Sequence, residues 1–201
     1  MYDRQTMTLW GNLTGEPVVG KLATSGLHLK VLPMTLTTWK EWKKLHPETK
    51  VLHLSDDYGK QWNYRYIPGL ADRTRSGVSF PVWQKSKILK DKEEVYALRV
   101  DGRPKAYVIQ KLLTDRILND QIGETPLVLI MDAESESVRA YERGTHTFSF
   151  ESGKIKDESG RTWQALEEFL VSAEIKLERI PGHTSWWFAW FGFFPQTDVY
   201  R

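Results

Sequence analysis

The sequence predicts an α+β protein, β-rich, with mostly antiparallel strands, short tryptophan-rich helices and two pseudo-repeated units packed together. Three observations predict it. Short alternating segments recur between turn-forming residues, as in "VYALRVDGRPKAYVIQ" and "HTFSFESGKIKD". Two short segments carry tryptophans at helical spacing, Trp39/Trp42 and Trp187/Trp190. Finally, the two ends of the chain match one another.

The match appears when the chain is shifted by 148 positions, which lays Leu27–Leu52 over Ile175–Tyr200 without a gap. Leu29 meets Leu177, Pro33 meets Pro181, Trp39 meets Trp187 and Trp42 meets Trp190. Pro47 meets Pro195, Thr49 meets Thr197 and Val51 meets Val199. With a one-residue gap, "DRQTMTLW", ending at Trp10, also resembles "DESGRTW", ending at Trp163. Identity in such rare residue types marks an internal repeat.

Taken in order, "LHLKVLP" and "IKLERIP" alternate and stop at proline, so both read as strands. Thr38 followed by Glu41 forms a capping box for a short helix whose Trp39 and Trp42 share a face. Pro47 disfavours helix at His46, after which "TKVL" reads as a strand, an ending that Pro195 and "TDVY" repeat. The second helix, "WFAWFGFF", has aromatic and small residues where the first has lysines and glutamate. Apolar all round, it is expected to be the buried central helix of the fold.

Between the repeats, residues 53–90 read as an irregular aromatic and basic connector, with Trp62, Tyr64, Arg65, Tyr66 and Arg73 interleaved. A hairpin is expected about Asp101-Gly102, then a short helix in "KLLTDRIL", a turn over Asn119–Pro126 and a buried strand in "LVLIM". "SVRAYER" and a hairpin about Ser152-Gly153 complete the set.

Composition narrows the function. The 201 residues include no cysteine, so the chain holds no disulfide, thiolate nucleophile or Cys-based zinc site. Twenty-eight basic against 26 acidic residues leave a net charge of +2, too even to predict nucleic-acid binding, and Asp56, Asp57 and Asp72 speak against base stacking in the connector. No apolar run spans a bilayer and no signal peptide opens the chain, while the compartment stays open. The five histidines lack metal-ligand spacing, and no nucleophile elbow, phosphate loop or zinc-protease motif occurs, so neither a catalytic residue nor a cofactor is expected.

Several stretches carry a family resemblance: "MYDRQTMTLWGNLTGEPVVGKLA", "TTWKEWKKLHPETKVL", "DGRPKAYVIQKLL", "LNDQIGETPLVLI", "AYERGTHTFSFESGKIKDESGRTW" and "WWFAWFGFFPQTDVY". On these, the chain resembles the bacterial family called domain of unknown function 3179. The resemblance implies tandem copies of one unit: residues 1–52 as the C-terminal half of a first unit, and 91–201 as a complete second. It also implies a Thr-Tyr-Cys-Pro-Leu-Cys segment upstream of the motif seen here as Tyr2 to Thr6, and export in many relatives. Aligned on Pro126 and Tyr141-Glu142-Arg143, the second unit has Asp132 and Ser135 at the two thiol positions. A carboxylate and a hydroxyl form no disulfide. If a pocket persists there, Asp132, Ser135 and Arg143 would line it, with Asn119 and Asp120 beside it.

The leading expectation is a non-catalytic binding or assembly protein that forms a homodimer or holds a protein partner. One alternative is the scaffold half of a longer thiol oxidoreductase whose cysteines lie upstream of Met1. The other is a carbohydrate-binding module using exposed tryptophans.

Overall fold

The computed structural model describes residues 1–52, 78 and 81–201. The aromatic connector residues Trp62, Tyr64, Arg65, Tyr66 and Arg73 lie outside the described residues.

Three short strands open the chain: β1 (Tyr2–Asp3), β2 (Thr8–Trp10) and β3 (Pro17–Val19), followed by α1 (Trp39–Leu45). The hairpin β4 (Glu94–Val100) and β5 (Arg103–Val108) leads into α2 (Ile109–Asp115). Then come β6 (Ile117–Ile122), β7 (Thr125–Asp132), β8 (Ser137–Glu142), β9 (Phe148–Glu151), β10 (Lys154–Asp157), β11 (Thr162–Ala165), β12 (Phe169–Ser172) and β13 (Ile175–Ile180). The chain ends with β14 (Gly182–Trp186), α3 (Trp187–Phe193) and β15 (Asp198–Tyr200). The protein is therefore β-rich with short helices, and among the described residues the ladders are antiparallel except for β15 alongside β5.

Eight strands, in the order β6-β7-β8-β13-β12-β11-β10-β9, curl into a nearly closed barrel-like sheet. Val128, Ile130, Tyr141, Phe148, Trp163 and Leu170 fill it. A four-stranded sheet, β14-β4-β5-β15, packs on the barrel wall. Strand alternation makes this layering possible. In β7, Leu127, Leu129 and Met131 face the four-stranded sheet while Val128 and Ile130 face the barrel interior. In β4, Tyr96 and Leu98 face the barrel while Val95 and Ala97 face α3. Both strands are buried on two sides, which is why "LVLIM" reads as an unbroken apolar run. Gly182 belongs to this contact, since a Cβ there would lie 2.5 Å from the Tyr96 hydroxyl.

The two hairpin turns fall where expected. Asp101 and Gly102 have φ of 49° and 76°, and Ser152 and Gly153 of 50° and 77°, the paired positive values of a tight two-residue turn.

Other expectations need correction. The helix at "KLLTDRIL" starts earlier, at Ile109, and stops at Asp115 because Arg116 takes φ 63°. Asn119 to Ile122 are strand, not turn, and the reversal is confined to Gly123-Glu124. "LHLKVLP" and "TKVL" form no strand, although "IKLERI" and "DVY" do. The latter pair with β12, β8 and β5, whereas no described strand lies alongside the former. Nor is α3 buried all round: Trp187, Trp190 and the following Phe194 are covered by the sheet, but Phe193 is exposed. One sheet face can cover only one side of a helix.

Candidate functional site

The five residues singled out from the sequence do not converge. Asp132 and Ser135 share the turn between β7 and β8. The Asp132 Oδ1 accepts from the backbone N–H of Glu134 (2.8 Å) and Ser135 (3.0 Å), the side-chain bonding typical of an Asx turn. Burial pushes the Asp132 carboxyl up, but those N–H groups and nearby Arg116 outweigh it and hold it below the ordinary carboxylate value. Ser135 Oγ lies 2.9 Å from Ser137 Oγ and borders a smaller cavity beside Thr37 and Thr38. Arg143 stands at the other end of the β7–β8 ladder, donating to the His146 carbonyl at 2.7 Å.

Asn119 and Asp120 point to opposite faces of β6. Asn119 closes the barrel: its Nδ2 donates to the Phe148 carbonyl (2.7 Å) and its Oδ1 accepts from the Phe148 N–H (2.9 Å). Asp120 accepts from the Tyr107 hydroxyl (2.8 Å) and pairs with Lys105 (2.6 Å), tying β6 to the four-stranded sheet. Burial pushes the Asp120 carboxyl up, but the Lys105 bond heads the stronger set of contacts that lowers it.

Asp132 does open onto a cavity of about 590 Å³ at the mouth of the barrel. Phe150 and Ile155 form an apolar wall backed by buried Trp163, α1 contributes Glu41, Lys44 and Leu45, and Arg116, Arg139 and Glu134 bring further charge of both signs. Arg116 follows α2 in the left-handed region, which strains a non-glycine residue. Its guanidinium lies over the Phe150 ring, 4.6 Å from the centroid, while Nε donates to the Met131 carbonyl at 3.2 Å.

Arg139 is buried and belongs to a chain of contacts reaching the N-terminal segment. Its Nε donates to Glu167 at 2.9 Å and its Nη1 to Ser137 at 3.0 Å. Thr35 donates to the other Glu167 oxygen (2.9 Å) and accepts from Arg179 (3.0 Å), which lies over the Tyr141 ring. Burial pushes the Glu167 carboxyl up, but the Arg139 contacts prevail and lower it. None of Arg116, Arg139, Glu167 and Arg179 was singled out from the sequence. The available signal was an arginine within a buried alternating strand, in "VRAY" and "LERI".

Trp42 and Trp190 sit in two local arrangements of the same shape. In α1, Trp42 Nε1 donates to Thr49 Oγ1 at 2.8 Å, and the His46 ring lies 4.1 Å from the Trp42 ring. In α3, Trp190 Nε1 donates to Thr197 Oγ1 at 2.9 Å, and the Phe194 ring lies 4.4 Å away. The residues ending the helices match as well, His46 at φ −130°, ψ 71° and Phe194 at φ −131°, ψ 70°. Pro47 and Pro195 follow, both exposed. Asp3 and Asp157 form a further pair, each accepting from a backbone N–H two residues on, Gln5 and Ser159, at 2.9 and 3.0 Å.

Their surroundings differ. Trp39 is 53% exposed and Trp42 half-buried, whereas Trp187 and Trp190 are each 1% exposed. Trp10 is half-buried and Trp163 buried, its Nε1 donating to Asp157 at 3.0 Å. Among the described residues no helix is long and apolar enough to cross a membrane, and no cluster of three or more His, Cys, Asp or Glu side chains could hold a metal.

A nearly closed β-barrel with an attached four-stranded sheet and flanking aromatic helices defines the class of protein. The chain belongs to the family described as protein of unknown function DUF3179, whose model matches residues 1–197. Neither a curated protein nor a solved structure matches it.

Proposed function

We propose that the chain is a non-catalytic assembly protein built from two copies of one unit. Residues 1–52 are the partial first copy, 53–90 the connector and 91–201 the complete second. The proposed partner of the first copy is a second chain. The matched helix ends, the two Trp-to-Thr hydrogen bonds and the 148-position register support the repeat.

The single observation that carries assembly is the contrast between Trp39 and Trp187 at corresponding positions. The sheet face formed by Val95, Ala97, Ala106 and Val108 covers Trp187. Trp39 stands half open, and so do Leu27, Leu29, Val31, Leu32, Met34 and Leu36 in the segment before it. Exposed apolar side chains gathered along one segment are what association buries.

Light scattering at about 100 µM protein tests the reading, at a concentration where even a micromolar dimer is formed. The expected result is a dimer, reduced to monomer by Trp39→Lys. A monomeric parent chain would overturn it.

A further inference from the structure

We infer that the mouth of the barrel is a binding site for a small aromatic or apolar carboxylate, held by Arg116. Arg116 brings a charge to an apolar wall in a form suited to that ligand. Its Nε is used by the Met131 carbonyl (3.2 Å), but the described residues offer no hydrogen bond to its two terminal amino groups. The guanidinium plane is steadied on Phe150 at 4.6 Å, and the φ of 63° fixes where the side chain leaves the backbone. A fork held in this way meets a carboxylate in bidentate fashion.

Arg139 does not compete for the same role, because Glu167 and Ser137 occupy its donors. No hydrogen bond joins Asp132 to the fork: its Oδ1 accepts from the backbone N–H groups of Glu134 and Ser135, and Arg116 acts on it through charge alone. Phe150 and Ile155 supply the apolar surface for the ligand body, with buried Trp163 behind them, and about 590 Å³ falls within the usual range for small-molecule pockets. A charged group beside aromatic faces selects against both uncharged aromatics and small inorganic anions.

The test is isothermal titration calorimetry with 2-naphthoate, and with uncharged 2-naphthalenemethanol as the control. Submillimolar binding of 2-naphthoate is expected, at least tenfold tighter than the alcohol. Arg116→Ala should abolish that preference. Arg116→Lys keeps the charge without the fork and should weaken the carboxylate several-fold while leaving the melting curve in place. Phe150→Ala should weaken both ligands. No heat from 2-naphthoate at several millimolar, or equal affinity for acid and alcohol in the parent protein, would overturn the proposal. So would an Arg116→Lys variant that folds normally and binds 2-naphthoate as the parent does. These readouts do not depend on whether the chain dimerises.

Discussion

The helices α1 and α3 have nearly the same backbone and opposite circumstances. Each runs for seven residues, closes on a ring stacked against its second tryptophan, and returns that tryptophan's N–H to a threonine. Yet α1 is held from within, and α3 from outside. The start of α1 is capped by its own Thr38, whose Oγ1 accepts from the Glu41 N–H at 3.2 Å. The start of α3 has no side-chain cap, and its first N–H groups are taken by the Glu93 and Asp91 carbonyls at 2.8 and 2.9 Å. Sequence-local bonds set the shape of such a short helix, while tertiary neighbours decide whether it is buried. A polar face with its own cap suits the first, and aromatic residues without one suit the second.

Substitutions at paired positions should separate these contributions, beginning with the tryptophans. Trp187→Ala removes a fully buried side chain and should cost about 3–5 kcal/mol in urea unfolding. Trp39→Ala in dilute protein should cost less than about 1 kcal/mol. If the proposed dimer forms, that second cost must grow with protein concentration, because only the associated form loses a buried contact.

The aspartates come next. Buried Asp157 gathers N–H groups from Ser159, Arg161 and Trp163, with the Ser159 hydroxyl. Burial opposes ionisation, but these donors, Trp163 foremost, lower its pKa from the ordinary 3.8 to about 2. A depressed carboxylate stabilises the fold above its unfolded pKa, so the contribution is complete above about pH 4 and lost as pH falls through about 2. Asp157→Asn should cost on the order of 2 kcal/mol at neutral pH and flatten that part of the acid-unfolding curve. Half-buried Asp3 makes the same kind of turn with fewer donors, and Asp3→Asn should shift the melting temperature far less than Asp157→Asn does.

Smaller effects are expected at the threonines. Thr197→Val strands the buried Trp190 N–H and should cost about 1–2 kcal/mol. At Thr49, water can replace the lost partner of half-buried Trp42, so Thr49→Val should cost only a few tenths of a kcal/mol. Thr38→Ala should cost about 0.5–1 kcal/mol through loss of the cap, read by the same unfolding curves.

Much of the fold is legible where local chemistry is sufficient. Asp101-Gly102 and Ser152-Gly153 announce their turns, Thr38 announces its helix, and Leu127 to Met131 announce a strand buried on both sides. Legibility fails where a distant partner decides. Asn119-Asp120 has the composition of a turn but lies in β6, because Asn119 meets Phe148 and Asp120 meets Lys105 and Tyr107. "LHLKVLP" alternates as convincingly as "IKLERIP", but alternation without a neighbouring ladder makes no strand. At the barrel mouth, the turn holding Asp132 could be read locally. Arg116 could not, since its importance depends on Phe150, which reaches it from another strand.

The carboxamide of Asn119 turns one N–H and its oxygen to Phe148, the pairing a peptide group would make. Facing the backbone of Phe148, it acts as a single peptide unit borrowed to buckle the barrel. The buckle has no replacement in a side chain of the same shape: Asn119→Asp would keep the acceptor for Phe148 N–H but present an oxygen to the Phe148 carbonyl. The wall would then part along one line, leaving the margins of β6 and β9 open to adding strands from another molecule.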